Sequence, residues 1–360
     1  MKVVHIINSL ATGGAEKLLL ESIPIYSEKG IDMHLVLLNG TLHPFLEELK
    51  KKKACTIHSL GNGSVYNPLH IFKIIPFLKQ FNCVHVHLFP SLYWVALAKL
   101  FSFSNAKLVY TEHSTSNKRR GNILLKQFDR FVYSQYSKIV AITPQVLQNI
   151  ENHLRFTSEN KFEIISNGLD LKQIQNAQSY DKASFFEGDN VKIILQVARF
   201  YDPKDHKTLI KSMALLPENV KLLLVGDGIL KAESEALVRL LHLQKRVQFL
   251  GVRTDVLALL KTSDIIVLSS KHEGLSLSCI EGMASGKPFV ASDVPGLKEM
   301  VENVGLLFPF GDEKALAHAI EKLLTNPSYY DELANKCKAK SEQYDIHEMV
   351  DDYISLYQKL

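Results

Sequence analysis

Cysteine is scarce: four residues in 360, at positions 55, 83, 279 and 337. No two have the close spacing of a zinc pair or a redox motif, so reduced, buried thiols are expected rather than disulfides or a metal site. Long apolar runs are missing as well. The N-terminus, MKVVHIINSL, meets polar residues at once and lacks the apolar core and small-residue cleavage site of a secretory leader. The most apolar stretch, PSLYWVALAKLFSF (90–103), is too short to span a bilayer and includes Lys99. These absences predict a cytosolic protein. Charge of one sign is in short supply too. A net charge of +4 is too weak to suggest nucleic acid as a partner. There is no internal repeat and no low-complexity tract. No G-x-G-x-x-G occurs at the first strand, and no acid ends the second strand as a dinucleotide ribose requires.

What is present is a globular chain, 46% apolar and 22% charged, long enough for two domains. Its first half alternates short apolar runs with helical patterns. The runs are VVHII (3–7), DMHLVLL (32–38), CTIHSL (55–60), VHVHL (84–88), KLVYT (107–111), KIVAIT (138–143) and FEIIS (162–166). Helical periodicity fills intervening segments such as 16–30 and 70–81. A second series follows: VKIILQVA (191–198), VKLLLVG (220–226), VQFLG (247–251), DIIVLSS (264–270), PFVASD (288–293) and VGLLF (304–308). Near-continuous apolar strands separated by helices predict parallel sheets covered on both faces. The fold class expected is α/β: two doubly wound, Rossmann-like domains with their strand C-termini facing a central cleft. The boundaries expected are 1–168 for the first domain, 169–190 for a hinge of low periodicity and 191–344 for the second domain. A C-terminal helix, 345–360, would pack back on the first domain.

The stretch 272–293, HEGLSLSCIEGMASGKPFVASD, organises the rest. Glu273 opens a turn containing Gly274, and a helix starts near Ser276 and Ser278. Its first amides are unpaired, and its dipole favours an anion. Ser is a preferred cap at such a start. Glu281 follows about a turn inside, so both carboxylates border whatever lodges there. A carboxylate repels phosphate but accepts paired hydrogen bonds from sugar hydroxyls. Read blandly, the same residues are a capped surface helix. Arg199 and Lys204 share the loop VARFYDPKDHKTLI (197–210), where a guanidinium fork and an ammonium suit a diphosphate. The strand ending in Gly226-Asp227-Gly228 reads as a tight turn. In NSLATGGAEK (8–17), Gly13 and Gly14 permit close approach of a ligand at a strand-to-helix turn, or simply a packing turn. His85 and His87 share one face of a strand. A metal would need a third ligand, and none has matching spacing, so they read as cleft or core histidines. His113, in YTEHS, lies just past a strand end.

These segments together resemble glycosyltransferase family 4, retaining sugar transferases of the GT-B fold. GGAEK, the His of YTEHS, ISNGLD (165–170), VARFYDPKDHKTLI, LLVGDG, VQFLGVRTDV and HEGLSLSCIEGMASGKPFVASDVPGLKE appear in the family's order across most of the chain. The resemblance implies a nucleotide-sugar donor held mainly by the second domain. Arg199 and Lys204 match the diphosphate-binding pair, Glu281 the acid on the ribose hydroxyls and Glu273 the acid facing the donor sugar. Backbone amides of Leu275, Ser276 and Leu277 match those that meet phosphates and sugar. Val252 and Arg253 fall in the base-binding region. Gly13 and Gly14 match a loop that closes over the diphosphate, and His113 a histidine near the sugar's primary hydroxyl. The chain departs from the pattern at Ser276, in place of the commoner Pro or Gly, and at Gly282, in place of Ala. That glycine would slightly weaken its helix.

Chemistry follows from charge. Breaking the bond between anomeric carbon and phosphate leaves negative charge on the diphosphate, which Arg199, Lys204 and the helix start near Ser276 would stabilise. No D-x-D occurs in the chain, so metal-independent transfer from a UDP-sugar to a glycan or lipid-linked acceptor is expected, with no cofactor. Two readings compete: a GT-B epimerase that turns over the donor alone, and a nucleotide-sugar-binding scaffold without turnover. A separate feature is NKRRGNILLKQFDRFVYSQ (117–135), where Lys118, Arg119, Arg120, Lys126 and Arg130 are opposed by Asp129 alone. Leu124, Phe128, Phe131 and Val132 recur at helical spacing. The pattern suits either docking on an anionic membrane surface or an apolar face packed on its own sheet.

Overall fold

The computed structural model describes residues 1–11, 13–113, 123–155 and 160–360, the side chains of 123–125 aside. The chain divides into two compact units, Met1–Leu169 with Ile346–Leu360, and Asp170–Asp345. Unit 1 contains β1 (Lys2–Ile7), α1 (Gly14–Glu28), β2 (Asp32–Leu37), α2 (Pro44–Lys52), β3 (Thr56–Ser59), α3 (His70–Gln80) and β4 (Cys83–His87). It continues with α4 (Ser91–Ser102), β5 (Lys107–Glu112), α5 (Ile123–Ser134), β6 (Lys138–Ala141), α6 (Pro144–Leu154) and β7 (Phe162–Ile164). Unit 2 runs from α7 (Leu171–Asn176) through β8 (Lys192–Val197), α8 (His206–Met213), β9 (Val220–Val225), α9 (Lys231–Leu240), β10 (Val247–Gly251) and α10 (Val256–Thr262). It then has β11 (Ile265–Leu268), α11 (Leu277–Ala284), β12 (Phe289–Ser292), α12 (Lys298–Val301), β13 (Leu306–Phe308), α13 (Glu313–Thr325) and α14 (Pro327–Ser341). The last helix, α15 (Ile346–Gln358), returns to unit 1.

Every apolar run became a strand. The first sheet has the order β3-β2-β1-β4-β5-β6-β7 and the second β10-β9-β8-β11-β12-β13. All named pairings in both are parallel. Helices cover both faces, which is why the strands lack polar alternation: Val3, Val4, Ile6 and Ile7 are all fully buried. Strand order reverses between β1 and β4 in one sheet and between β8 and β11 in the other. At such a switch point the flanking connections leave toward opposite faces, opening a crevice beyond the strand C-termini.

The inner face of α15 joins the unit 1 core through Ile346, Met349, Val350, Tyr353, Leu356 and Tyr357, while Ile354 stays at the rim. Burying side chains of this size contributes roughly 1.5–3 kcal/mol each. Residues 170–190 are bonded into unit 2. Asp170 caps α7, the Tyr180 amide donates to Thr262 Oγ1 at 2.8 Å, and Lys182 Nζ meets the Asp264 carboxylate at 2.6 Å. Gly282 acquires a reason here. A Cβ at that position would lie 2.4 Å from the Phe289 ring and 3.0 Å from Ile266. The glycine lets α11 sit close on β11 and β12, which offsets its low helix propensity. Among the described residues no helix is long and apolar enough to cross a membrane.

Candidate active site

In unit 2 the residues singled out from sequence converge on two loops, after β8 and after β11, the two strands flanking the switch point. The loops are zipped together by backbone. Lys204 and Ser270 form an antiparallel bridge, the Lys271 amide donates to Pro203 O at 2.9 Å, and the Asp205 amide donates to Ser269 O at 3.0 Å. This brings Lys204 Nζ to 2.5 Å from Glu273 Oε1, with the two side chains 17% and 12% exposed. The ammonium keeps two further protons and the carboxylate a second oxygen. Each can therefore hold its partner and still meet a ligand. Arg199, by contrast, is exposed, and its side chain has no partner among the described residues. Its charge is uncompensated at the edge of the sheet.

The loop carrying Arg199 rests on a support that the sequence motif concealed. Gly226 adopts φ +136°, and a Cβ there would lie 2.1 Å from Ala198 O. The Phe200 amide donates to Asp227 O at 2.9 Å. His206 stacks on Phe200 with ring centroids 3.8 Å apart, and burial pushes its imidazole down to about 4. Gly296 is a second support: at φ +88°, a Cβ would sit 2.2 Å from Glu273 O. Gly226 was legible as a turn, but neither glycine was legible as backing for a named carboxylate or cation.

Ser276 occupies the N-cap of α11 but makes no side-chain cap hydrogen bond. The expected serine cap is absent: among the described residues no side-chain cap hydrogen bond reaches the start of α11. Leu275 and Ser276 are buried, Gly274 and Leu277 half-buried. Glu281 is 5% exposed on the same helix. Below β10, Val252 is exposed, while Arg253 grips Asp255 through contacts of 2.5 and 2.8 Å. Tyr180 Oη donates to the same carboxylate at 2.6 Å. The guanidinium thus holds the Asp255 carboxyl well below its usual range, and the pair fixes the loop on which Val252 stands.

In unit 1, Gly13 is the extended N-cap of α1, without a side-chain cap, and Gly14 opens the helix exposed to solvent. A Cβ on Gly13 would meet the Glu16 carboxylate at 2.3 Å, so an acidic group already lies at this helix start. Asn8 ties the end of β1 to the start of α4, donating to Phe89 O and accepting from Ser91 Oγ, both at 2.7 Å. His113 follows β5, with Nε2 3.2 Å from His87 Nδ1. Its Nδ1 is buried without a partner, and burial lowers its imidazole to about 4. The third ligand that spacing did not offer to His85 and His87 is His5, from the neighbouring strand. Their ring nitrogens lie within 4.8 Å of one another. The signal was strand adjacency: His5 and His85 are register partners.

Lys118, Arg119 and Arg120 lie outside the described residues. On α5, Asp129 does not oppose the cations in water. It is 2% exposed and bonded to His153 Nε2 at 2.8 Å. Val132 is buried, whereas Phe128 and Phe131 are 38% and 43% exposed. Arg130 Nε donates to Leu154 O at 2.6 Å. Of the apolar residues grouped from helical spacing, Val132 thus joins the core while Phe128 and Phe131 reach the surface, and the side chain of Leu124 lies outside the described residues.

Comparison with known proteins bears on the family and the fold. Residues 12–173 match the family model described as glycosyltransferase family 4, and residues 178–344 the model described as glycosyl transferases group 1. The N-acetylgalactosamine-N,N'-diacetylbacillosaminyl-diphospho-undecaprenol 4-alpha-N-acetylgalactosaminyltransferase of Campylobacter jejuni is 28% identical over 359 residues, 94% of each chain. The N-acetyl-alpha-D-glucosaminyl L-malate synthase of Bacillus anthracis is 26% identical over 287 residues, 78% of this chain and 75% of its own. HepE of Anabaena, solved in complex with UDP and glucose, has a TM-score of 0.86 at 20% identity, with both chains fully covered. Two Rossmann-like units with these matches define a glycosyltransferase of the GT-B class. Within that class, the chain belongs to glycosyltransferase family 4.

Proposed function

We propose that the chain is a retaining, metal-independent glycosyltransferase that moves a sugar from a UDP-sugar to a lipid-linked or glycan acceptor. The observation that carries this reading is the uncompensated Arg199 beside the Lys204–Glu273 pair, on loops at the β8/β11 switch point. A diphosphate placed there meets a free guanidinium fork, the spare protons of Lys204 and the uncapped amides of α11. As the glycosidic bond breaks, negative charge grows on the departing phosphate, where these groups are already oriented. Glu273, pinned by Lys204, accepts from donor-sugar hydroxyls, and buried Glu281 accepts from the ribose. The Val252–Arg253 loop borders the base. Gly13, Gly14 and His113 are the residues of unit 1 proposed to contact ligand. Attack from the side of the leaving group gives retention. Metal independence rests on two cations at the diphosphate and on the missing D-x-D.

The acceptor class draws support from the Campylobacter relative, whose name specifies a diphospho-undecaprenol substrate. Exposed Phe128 and Phe131 beside Lys126 on α5 would allow unit 1 to sit on an anionic leaflet, with Arg130, Lys118, Arg119 and Arg120 adding charge. Each basic residue near such a surface contributes about 1 kcal/mol. Sedimentation with anionic liposomes at low salt should exceed that with neutral ones and fall when Lys118, Arg119 and Arg120 become Ser. Equal recovery on both would remove the docking surface. For the activity itself, a thermal-shift panel of nucleotides and their sugars identifies the donor, because ligand binding to the native state raises apparent stability. Donor hydrolysis at full rate without acceptor would favour the epimerase, and donor binding with no turnover on any acceptor the scaffold.

A further inference from the structure

We propose that α3 and the end of α4 form an insertion edge on unit 1, which seats phenylalanine rings in an anionic bilayer. The inference shares with the α5 reading above only that unit 1 meets a lipid surface. It begins from an absence. Between Glu48 and Glu112 the sequence holds eight lysines and not one Asp or Glu. Lys73 and Lys79 lie on α3, Lys99 on α4 and Lys107 at the start of β5. All but the half-buried Lys99 are exposed. α4 packs against both α3 and α5. These three helices together contain a single carboxylate, Asp129, and it is buried. The outside of this layer therefore carries cations with no exposed acid among them.

Large apolar side chains stand on the same layer. Phe72 on α3 and Phe101 on α4 are 61% and 59% exposed, with ring centroids 6.4 Å apart. Leu69, just ahead of α3, and Leu100, next to Phe101, are exposed as well. Phe103 closes α4 at φ +51° and is 93% exposed. A helix end of this left-handed kind ordinarily takes Gly or Asn, because a Cβ crowds the backbone there. Phe103 thus combines backbone strain with a ring left almost wholly in water. A partner that buries the ring offsets both costs.

Charge selects that partner. A second copy of the chain would set lysines against lysines across the same face. A nucleic acid would supply phosphates, but Leu69 and Leu100 offer its bases no ring to stack on. An anionic bilayer answers both features. Its headgroups meet the ammonium groups, while rings and leucines reach the acyl boundary. Lysine stems lie along apolar surface and keep their charge at headgroup level. An apolar anchor should also resist salt better than attachment by charge alone.

The test uses the full-length protein and vesicles of phosphatidylcholine, with and without phosphatidylglycerol. Phe103→Trp places a reporter at the edge, read against the parent, whose one tryptophan, Trp94, is half-buried. Its emission should shift to the blue with phosphatidylglycerol vesicles and be quenched by brominated acyl chains. Phe101→Ser combined with Phe103→Asn should lower partition into those vesicles about tenfold or more, the scale of losing one buried ring. Affinity for UDP should not change. Phe103→Asn alone should hold or raise the melting temperature, since Asn tolerates the left-handed backbone. An unquenched Phe103→Trp, or equal partition of parent and double variant, would overturn the proposal. So would a fall in the Phe103→Asn melting temperature, which would make the ring a packing residue. A lipid-free dimer that the double variant dissolves would instead assign the face to a second copy, and the proposal would fail. Vesicle binding lost when Lys118, Arg119 and Arg120 become Ser, yet parental in the phenylalanine variants, would reject this edge and keep the α5 surface. The converse would keep this edge and reject the α5 surface.

Discussion

The two sheet edges solve the problem of presenting polar groups in opposite ways. At the edge of unit 2 the groups are charged and left open: Arg199 faces solvent without a partner, and α11 begins without a side-chain cap. At the edge of unit 1 they are neutral and closed upon one another, a run of histidines and tyrosines with a single free nitrogen. Open charge suits a ligand that arrives as an anion and leaves with more charge than it had. A closed neutral network suits a ligand of hydroxyls, where orientation matters more than field strength.

The sharpest way to break this contrast is at Arg199. Arg199→Ala should lose about 10²–10³ in kcat, some 2–4 kcal/mol, as for removal of one preorganised donor. Arg199→Lys should recover only part, because a point charge cannot reproduce the fork. Near-parental turnover in a folded Arg199→Ala would remove the diphosphate site from unit 2. The two acids sharpen the picture within that unit. Calorimetry should show Glu281→Ala weakening free UDP by about 1.5–3 kcal/mol, the range for a hydrogen bond to a charged group. Glu273→Ala should act chiefly on the sugar nucleotide and on turnover. The reverse pattern would exchange their roles.

Stability tests separate the units further. Gly282→Ala should destabilise by about 1–3 kcal/mol through overpacking against Phe289 and Ile266, read as a lower denaturant midpoint. An unchanged or higher midpoint would mean that α11 has room to move.

Acid should weaken unit 1 through its neutral histidines. The folded values for His5 and His113 are depressed to about 3 and about 4, against 6.5 when unfolded. As pH falls below 6.5 the unfolded chain takes up protons first. Their contribution is therefore complete above pH 6.5 and lost as pH falls toward 3–4. The loss is at most about 1.4 kcal/mol per pH unit for each ring. Melting at about pH 5 should occur below that at about pH 7.5, and a flat profile would contradict the neutral network.

The contrast also explains what could be read from sequence. All the strands were legible, because parallel strands buried on both faces write themselves as continuous apolar runs. Arg199, Lys204, Glu273 and Glu281 were legible because the unit 2 edge is built from two local segments. The unit 1 network was not. His5, His85, Thr111 and Tyr357, joined by hydrogen bonds, come from three strands and the last helix, and nothing in their spacing links position 5 to position 357. Asp129 was misread for a related reason: helical periodicity assigns a face but not the buried His153 that waits there. The Lys204–Glu273 contact escaped as well, since a backbone bridge between two loops leaves no periodic trace.

The most direct test of the account is calorimetric titration of UDP into the parent, Arg199→Ala and Tyr357→Phe, each in excess chelator. The account predicts saturable binding by the parent without divalent metal, at least about a tenfold loss in Arg199→Ala, and no change in Tyr357→Phe. Equal affinity in the parent and Arg199→Ala, or binding that appears only when a divalent metal is restored, would contradict it.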